Sequence, residues 1–171
     1  MSALYVCPLS RLTETVAQSG ARHIVTLINN ETLVARPPSV EAGDHLFLGI
    51  HDICQPMEGM ICPDAEHVEA FLDFIHRWDR QAPVVIHCYA GISRSTAAAY
   101  SAYCAIRPDL DEEEVAFRLR RRSPEATPNA RIVACADAIL GRGGRMARAV
   151  ARIGRGADAF EGSVFALRLD E

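Results

Sequence analysis

The sequence predicts an α/β protein with a central, mainly parallel β-sheet that is flanked by helices on both faces. Short apolar segments typical of buried strands alternate along the chain with segments of helical periodicity. Residues 84–86 are apolar at every position, as in a parallel strand that is covered on each side. The chain has 171 residues, 49% of them apolar, which is the size of one domain. We therefore predict a single domain over residues 1–171, with residues 141–171 as a C-terminal extension packed on it.

The first part of the chain is predicted to contain one helix and two strands. Residues 9–19 are predicted to form the helix. Residues 22–28 are apolar and rich in β-branched side chains between turn-forming residues, which indicates a buried strand. Residues 45–50 are predicted to form the next strand, and proline and glycine mark the loop that follows it. This loop places the carboxylate of Asp52 just beyond a strand end.

Helices are predicted on both sides of the central strand. From about residue 64 to residue 80, apolar side chains recur at the three- and four-residue spacing of a core-facing helix, namely at Val68, Phe71, Leu72, Ile75 and Trp78. Asp64 is predicted to be the N-cap of this helix. Residues 95–105 predict an alanine-rich helix after the loop 88–94, and we expect Cys104 to be a small core residue on it.

The C-terminal third predicts two more helices and a short strand. Acidic residues at 111–114 begin a helix that ends in arginines, which suits the helix dipole. We expect these arginines to form a solvated helix end: Arg118, Arg120, Arg121 and Arg122. A further helix is predicted over residues 129–140, a glycine-rich break follows it, and residues 163–167 are predicted to form a small strand.

Composition and charge limit the partners of this chain. Its 18 basic and 22 acidic residues give a net charge of −4, without the broad positive field that non-specific nucleic-acid binding uses. The N-terminus does not resemble a secretory signal, and no segment is apolar enough to span a membrane. The six cysteines form no CxxC pair, which argues against a zinc ribbon or disulfide framework. We expect a cytoplasmic protein that binds neither nucleic acid nor membrane; the oligomeric state stays open.

A tight loop between the central strand and the following helix is the predicted anion site. Backbone N–H groups of such a loop point inward, and the helix N-terminus adds partial positive charge. Gly91 gives the turn its backbone freedom, and the guanidinium of Arg94 can bind two phosphate oxygens. We therefore predict that phosphate is bound by Tyr89, Ala90, Gly91, Ile92, Ser93 and Arg94.

Cys88 lies at the start of this loop and is the predicted nucleophile. The helix N-terminus and the nearby cation favour the thiolate form of a cysteine, which is the nucleophilic form. Ser95 can donate a hydrogen bond to the sulfur and stabilise it as a leaving group. His87, next to the nucleophile, is expected to brace the loop backbone.

The residues from His87 to Ser95 match the pattern HCxxGxxR followed by Ser or Thr. In this pattern the chain resembles the protein tyrosine phosphatase superfamily, and most of all its small dual-specificity branch with the bacterial relatives. Residues 47–50 leading to an Asp, and residues 127–129, are similar to that branch as well, so that the resemblance covers about residues 4–140. It implies a cysteine-dependent phosphatase fold and a phosphomonoesterase that hydrolyses phosphotyrosine in proteins through a phosphocysteine intermediate. Two specificities stay open, one for phosphotyrosine alone and one that includes phosphoserine and phosphothreonine.

The resemblance also implies one aspartate as general acid and then general base, on a separate loop. Asp52 is the candidate, although it lies 36 residues before Cys88, somewhat farther than is usual in the branch. Asp64, 24 residues before Cys88, is the alternative, but its position at a helix start favours capping. Asn129 is expected to support the loop.

No metal or cofactor is expected. Five metal-ligating side chains crowd one region, but their spacings match no zinc pattern: His45, His51, Cys54, Cys62 and His67. Two other functions compete with that of a protein phosphatase. One is a phosphate-binding module without turnover. The other is a phosphatase of inositol phosphates or phosphoinositides, which is disfavoured because residues 89–93 carry no Lys or Arg for additional phosphates.

Overall fold

The elements of the fold are taken from a computed structural model that describes residues 2–171. In chain order they are β1 (Ala3–Pro8), α1 (Leu12–Ser19), β2 (His23–Ile28), β3 (His45–Gly49), α2 (Ala65–Arg77), β4 (Val84–Cys88), α3 (Arg94–Ile106), α4 (Glu112–Arg122), α5 (Ala130–Ile139), α6 (Arg145–Ile153) and β5 (Phe165–Arg168). Within this described part, no helix is both long and apolar enough to cross a membrane.

The five strands form one sheet in the order β3-β2-β4-β1-β5. Strands β1 to β4 run parallel, and β5 pairs with β1 in the antiparallel sense. This confirms the predicted, mainly parallel sheet. Because the carboxyl ends of parallel strands lie at the same edge, the loops that follow β3 and β4 meet there even though β2 lies between them.

Helices cover both faces of the sheet, as the sequence predicts. On one face, Leu12 and Val16 of α1 pack against Ile24 and Val85. On the other face, α3 is the central helix, because all its residues from Arg94 to Cys104 are buried. Its alanines allow a close approach to the sheet and to the neighbouring helices, and Cys104 is a core residue as expected.

Two elements lie where the sequence predicts none. Strand β1 was missed because its six residues end in Cys7-Pro8 and its place depends on pairing with β4. Helix α6 was missed because arginines interrupt the apolar pattern, although Met146 and Ala149 are buried on its inner side. Helix α2 also ends earlier than predicted, at Arg77, where Trp78 leaves the helical conformation and its indole donates to the Ala82 carbonyl.

The arginines at the end of α4 do not form a uniformly solvated helix end. Arg118 donates to the Tyr103 hydroxyl and to Glu114. Arg120 donates to four backbone carbonyls beyond its helix. Only part of the run, including Arg121, is exposed as predicted. The arginines therefore also connect α4 to later segments of the chain.

Glu112 forms a buried ion-pair cluster between α4 and the start of α6. It is 5% exposed, and its carboxylate accepts hydrogen bonds from Arg142 and Arg145. Burial alone would raise the pKa of Glu112, but the hydrogen bonds from Arg145 and Arg142 outweigh burial and hold it at about 2. The cluster therefore attaches the start of α6 and the turn before it to α4.

The substitution Glu112→Gln is expected to lower the free energy of unfolding by roughly 3 kcal/mol, because it leaves Arg142, whose side chain is only 11% exposed, without a counter-charge. Urea denaturation at pH 7 measures this. The control is Glu113→Gln in the same helical turn, which loses only an exposed pair with Arg152 and should change stability by less than about 1 kcal/mol. Equal losses in the two variants would contradict the assignment.

Three polar side chains connect β4, β2 and β3 on the α1 face. Thr26 Oγ1 lies 2.7 Å from His87 Nε2 and 2.8 Å from His45 Nε2, and His87 Nδ1 lies 3.3 Å from the Cys88 carbonyl oxygen. A carbonyl only accepts, so Nδ1 carries the proton. Burial lowers the pKa of His87 to about 4, so its ring is neutral near pH 7 and Nε2 accepts from Thr26. Thr26 in turn accepts from the Nε2–H of His45.

Acid is therefore expected to destabilise the fold through His87. The unfolded histidine binds a proton near pH 6.5 and the folded one only near pH 4, so its contribution is full above about pH 6.5 and is lost as the pH falls toward 4. Between pH 7.5 and pH 5, the loss amounts to about 2 kcal/mol, measured by urea denaturation. In His87→Gln, this loss of about 2 kcal/mol in the free energy of unfolding between the two pH values should disappear. In His76→Gln, which replaces an exposed histidine, it should persist.

Candidate active site

The loop between β4 and α3 begins at Cys88, which is 2% exposed, and ends at Arg94. Gly91 has φ +70° there, a conformation that L side chains rarely adopt. A Cβ at this position would also meet the backbone nitrogen of Pro8 at 2.7 Å. The tight course of the loop against the end of β1 therefore requires glycine at position 91.

Five backbone carbonyls of this loop accept hydrogen bonds from groups outside it. The pairs are Cys88 with His87 Nδ1, Tyr89 with the Leu9 N–H, Ala90 with the Gly162 N–H, Ile92 with the Thr127 N–H, and Ser93 with the Asn129 N–H. In a planar trans peptide, the carbonyl and the following N–H point in opposite directions. The N–H groups that follow these carbonyls are therefore turned inward and form an anion-binding nest.

The sulfur of Cys88 faces two hydrogen-bonding groups. The Gly91 N–H donates to Sγ at 3.3 Å, and the Ser95 hydroxyl lies 3.2 Å from it. Ser95 is fully buried in the first turn of α3. Both groups, together with the helix N-terminus, stabilise negative charge on sulfur.

The guanidinium of Arg94, the residue that ends the same loop, is held in place by a hydrogen bond. The residue is 8% exposed, and its Nη1 donates to the Ile50 carbonyl at 2.8 Å. Its Nε is buried and has no hydrogen-bond partner in the described chain. A buried cation with an unpaired donor suits an anion that accepts from it, as a phosphate oxygen does.

Asp52 lies on the loop after β3 and contacts the predicted phosphate loop, residues 88–94, through Ser93. Its Oδ1 accepts hydrogen bonds from Ser93 Oγ at 2.7 Å and from Asn129 Nδ2 at 2.9 Å. Its Oδ2 has no partner among residues 2–171. The loop is closed at its base because the backbone N–H of His51 donates to Ile61 and the Ile61 N–H donates to His51 Nδ1.

Asp64 is bound in the capping of α2. Its side chain accepts from the His67 N–H, and His67 Nδ1 accepts from the Asp64 N–H, which completes a capping box. No described contact joins Asp64 to the residues from Cys88 to Ser95. The predicted N-cap is thus confirmed.

Asn129 links Asp52 and the phosphate loop. Its backbone N–H donates to the Ser93 carbonyl, its Nδ2 donates to Asp52, and its Oδ1 caps α5. Sequence reasoning missed Thr26, Leu9 and Gly162 as further supports of the loop, because each reaches it from a distant segment. No local pattern in the sequence signals them. Within residues 2–171, no three His, Cys, Asp or Glu side chains gather into a possible metal site.

Comparisons with known proteins place this geometry in a family. The family model Tc-R-P, described as "Polymorphic toxin system, DSP-PTPase phosphatase", matches residues 7–106, more than half of the chain. No protein in a search of curated proteins matches. Solved structures share the fold at low sequence identity.

Three of these structures illustrate the likeness. The PTP-2 phosphatase of Cydia pomonella is 21% identical over 79% of this chain and 84% of its own, with a TM-score of 0.62. DUSP15 is 17% identical over 89% and 92%, with a TM-score of 0.66, and human DUSP28 is 18% identical over 81% and 94%, with a TM-score of 0.61. The chain therefore belongs to the DSP-PTPase phosphatase family of polymorphic toxin systems, in the small dual-specificity branch of the protein tyrosine phosphatase superfamily, and is a cysteine-dependent protein phosphatase.

Proposed function

We propose that this chain hydrolyses phosphotyrosine, and also phosphoserine and phosphothreonine, in proteins through a phosphocysteine intermediate on Cys88. The observation that carries the proposal is a single loop with inward N–H groups that contains both the hydrogen-bonded sulfur of Cys88 and the unpaired Nε of Arg94. These groups match the three needs of phosphoryl transfer: a nucleophile, donors for the equatorial oxygens, and positive charge.

In the first step, the Cys88 thiolate attacks phosphorus and the bond from phosphorus to the substrate oxygen breaks. Inward N–H groups of residues 89–94 and the guanidinium of Arg94 bind the phosphoryl oxygens. Asp52 donates a proton to the leaving oxygen. Its hydrogen bonds from Ser93 and Asn129 orient the carboxyl group and leave Oδ2 for this transfer.

In the second step, water attacks phosphorus and the bond from phosphorus to sulfur breaks. Asp52, now a carboxylate, accepts the proton of the water, and inorganic phosphate leaves. The Ser95 hydroxyl, 3.2 Å from Sγ, stabilises the departing thiolate. His87 and Asn129 act as supports of the loop rather than as reacting groups.

The uncharged interior of the loop favours a substrate with a single phosphate. Tyr89, which follows the nucleophile, is 55% exposed and offers an aromatic surface to a protein substrate rather than a cation. Inositol phosphates and phosphoinositides call for extra basic side chains, which residues 89–93 do not carry. Phosphoproteins are therefore the proposed substrates and nucleic acids are not.

We also propose that residues 1–171 work as a single phosphatase domain, in which residues 141–171 form an extension on the catalytic part. Support comes from the pairing of β5 with β1 and from the attachment of Arg142 and Arg145 to Glu112. The six free cysteines support a reducing, cytoplasmic setting. No cofactor takes part in the proposed steps.

The substitution Cys88→Ser is expected to reduce turnover of a phosphotyrosine peptide below detection, because the hydroxyl is a far weaker nucleophile than a thiolate. The assay is phosphate release. Cys135→Ser, at a partly buried cysteine of α5, serves as control and should retain parent activity. A parent protein that binds the phosphopeptide without hydrolysing it would instead identify a phosphate-binding module, and faster turnover of inositol hexakisphosphate would identify the other alternative.

The general acid is tested with Asp52→Asn and Asp64→Asn. Asp52→Asn should lower kcat on phenyl phosphate by about 100-fold or more and remove the basic limb of the pH–rate profile, since a poor leaving group needs the proton. The loss should be much smaller with an aryl phosphate whose leaving group is a good one. Asp64→Asn should stay within about twofold, because asparagine caps helices as well as aspartate does. The reverse pattern would assign the role to Asp64.

A further inference from the structure

Residues 154–163, called the strap below, connect α6 to the segment that leads into β5. They lie outside residues 7–106, which the family model matches. The strap has no regular helix or strand along its length. It is nevertheless attached to the rest of the molecule at both of its ends.

The first end of the strap is attached to residues 124–127, which themselves support the phosphate loop. Arg120 donates to the Gly154 carbonyl and also to the carbonyls of Pro124 and Ala126. The Gly156 N–H donates to Thr127 Oγ1 at 3.0 Å, and the Ala157 N–H donates to Pro124. Thr127 in turn donates its N–H to the Ile92 carbonyl of the loop.

The second end contacts the phosphate loop directly. The Gly162 N–H donates to the Ala90 carbonyl at 2.7 Å. A Cβ at position 162 would lie 2.6 Å from the backbone oxygen of Gly91, so this close approach requires glycine. The next N–H, of Ser163, donates to the buried carboxylate of Glu125. Ser10, in the turn after β1, donates to Glu161 at 2.9 Å.

The peptide between Ala90 and Gly91 joins the strap to the nucleophile. Its carbonyl accepts from Gly162, and its N–H donates to Cys88 Sγ at 3.3 Å on the opposite side. Because the peptide is planar, a hydrogen bond that fixes its carbonyl oxygen also fixes the direction of its N–H. Rotation of this one peptide would turn the donor away from the sulfur and put a carbonyl oxygen in its place.

We propose that the strap is a positioning element of the phosphate loop, in which Gly162 fixes the Ala90–Gly91 peptide so that its N–H points at the Cys88 sulfur and at the bound phosphoryl group. This inference rests on the proposed function of the loop. Gly162 touches neither substrate nor sulfur and is a positioning residue. The extension thereby takes part in the activity, although the family model does not match it.

The test is Gly162→Ala compared with Gly43→Ala. The added methyl group at 162 must displace the Gly91 backbone, whereas at Gly43, an exposed position with an ordinary φ, it meets nothing within 4 Å. In Gly162→Ala we expect kcat/KM for an aryl phosphate to fall by about 10- to 100-fold. Inhibition by orthovanadate, which adopts the transition-state geometry of phosphoryl transfer, should weaken in parallel. Gly43→Ala should equal the parent in both measurements.

A purely structural role gives a different result. Measured well below the unfolding temperature, with near-ultraviolet circular dichroism to show that the variant is folded, Gly162→Ala would then keep the parent kcat/KM and vanadate inhibition despite a lower unfolding temperature. That outcome overturns the proposal. If Cys88→Ser also kept activity, the proposed function itself would be wrong. If Cys88→Ser is inactive and Gly162→Ala is fully active, only the proposed role of the strap is wrong.

A second pair of variants covers the case in which Gly162→Ala does not fold. Glu125→Ala removes the acceptor of the Ser163 N–H and loosens the strap next to Gly162, without adding an atom to the loop. We expect several-fold losses in kcat/KM and in vanadate inhibition. Glu125→Gln keeps an oxygen acceptor and should recover most of the loss. Parent values of both quantities in Glu125→Ala would overturn the proposal.

Discussion

The candidate active site depends on where the carbonyl groups of residues 88–90, 92 and 93 find their hydrogen-bond donors. A buried carbonyl must be paired, and each pairing outside the loop turns the next N–H toward the phosphate position. The donors come from a strand side chain, from the turn after β1, from the segment before α5 and from the C-terminal strap. Formation of the nest therefore requires most of the fold to be in place.

The parallel sheet supplies the second half of the site. Cys88 ends β4, and Asp52 follows β3 by three residues, so both lie at the same edge of the sheet although Asp52 is 36 positions before Cys88. Asn129 then fixes their relation, because one residue holds both the Asp52 carboxylate and the Ser93 carbonyl. The separation in sequence of Asp52, the proposed acid, from Cys88, the proposed nucleophile, is thus a consequence of the sheet topology.

The sequence alone predicted the elements that have a local sequence pattern and missed those that depend on contacts with distant segments. About twenty residues of sequence are enough to recognise the apolar strand that ends at Cys88, the tight loop and the alanine-rich helix. The fold class follows from the alternation of such strands and helices along the chain. Strand β1 was not predicted because its position depends on pairing with β4. Helix α6 was not predicted because arginines that pair with α4 interrupt the apolar pattern of its buried side. Gly162 could not be recognised, since its requirement arises from the backbone of Gly91, seventy-one positions earlier in the chain.

The strap changes how the C-terminal extension is understood. An extension that only covered apolar surface could be replaced by any segment of similar volume, because packing tolerates such exchanges. A segment that pairs with the Ala90 carbonyl must place an N–H donor at one exact point. Without that donor, the buried carbonyl would stay unpaired, which is costly, or the peptide would rotate and point its oxygen at the bound anion. A related chain that lacks this segment must therefore supply another donor at the same point. The residues of the loop form its inner side, whereas its outer side is completed by donors from other segments of the chain, including the strap.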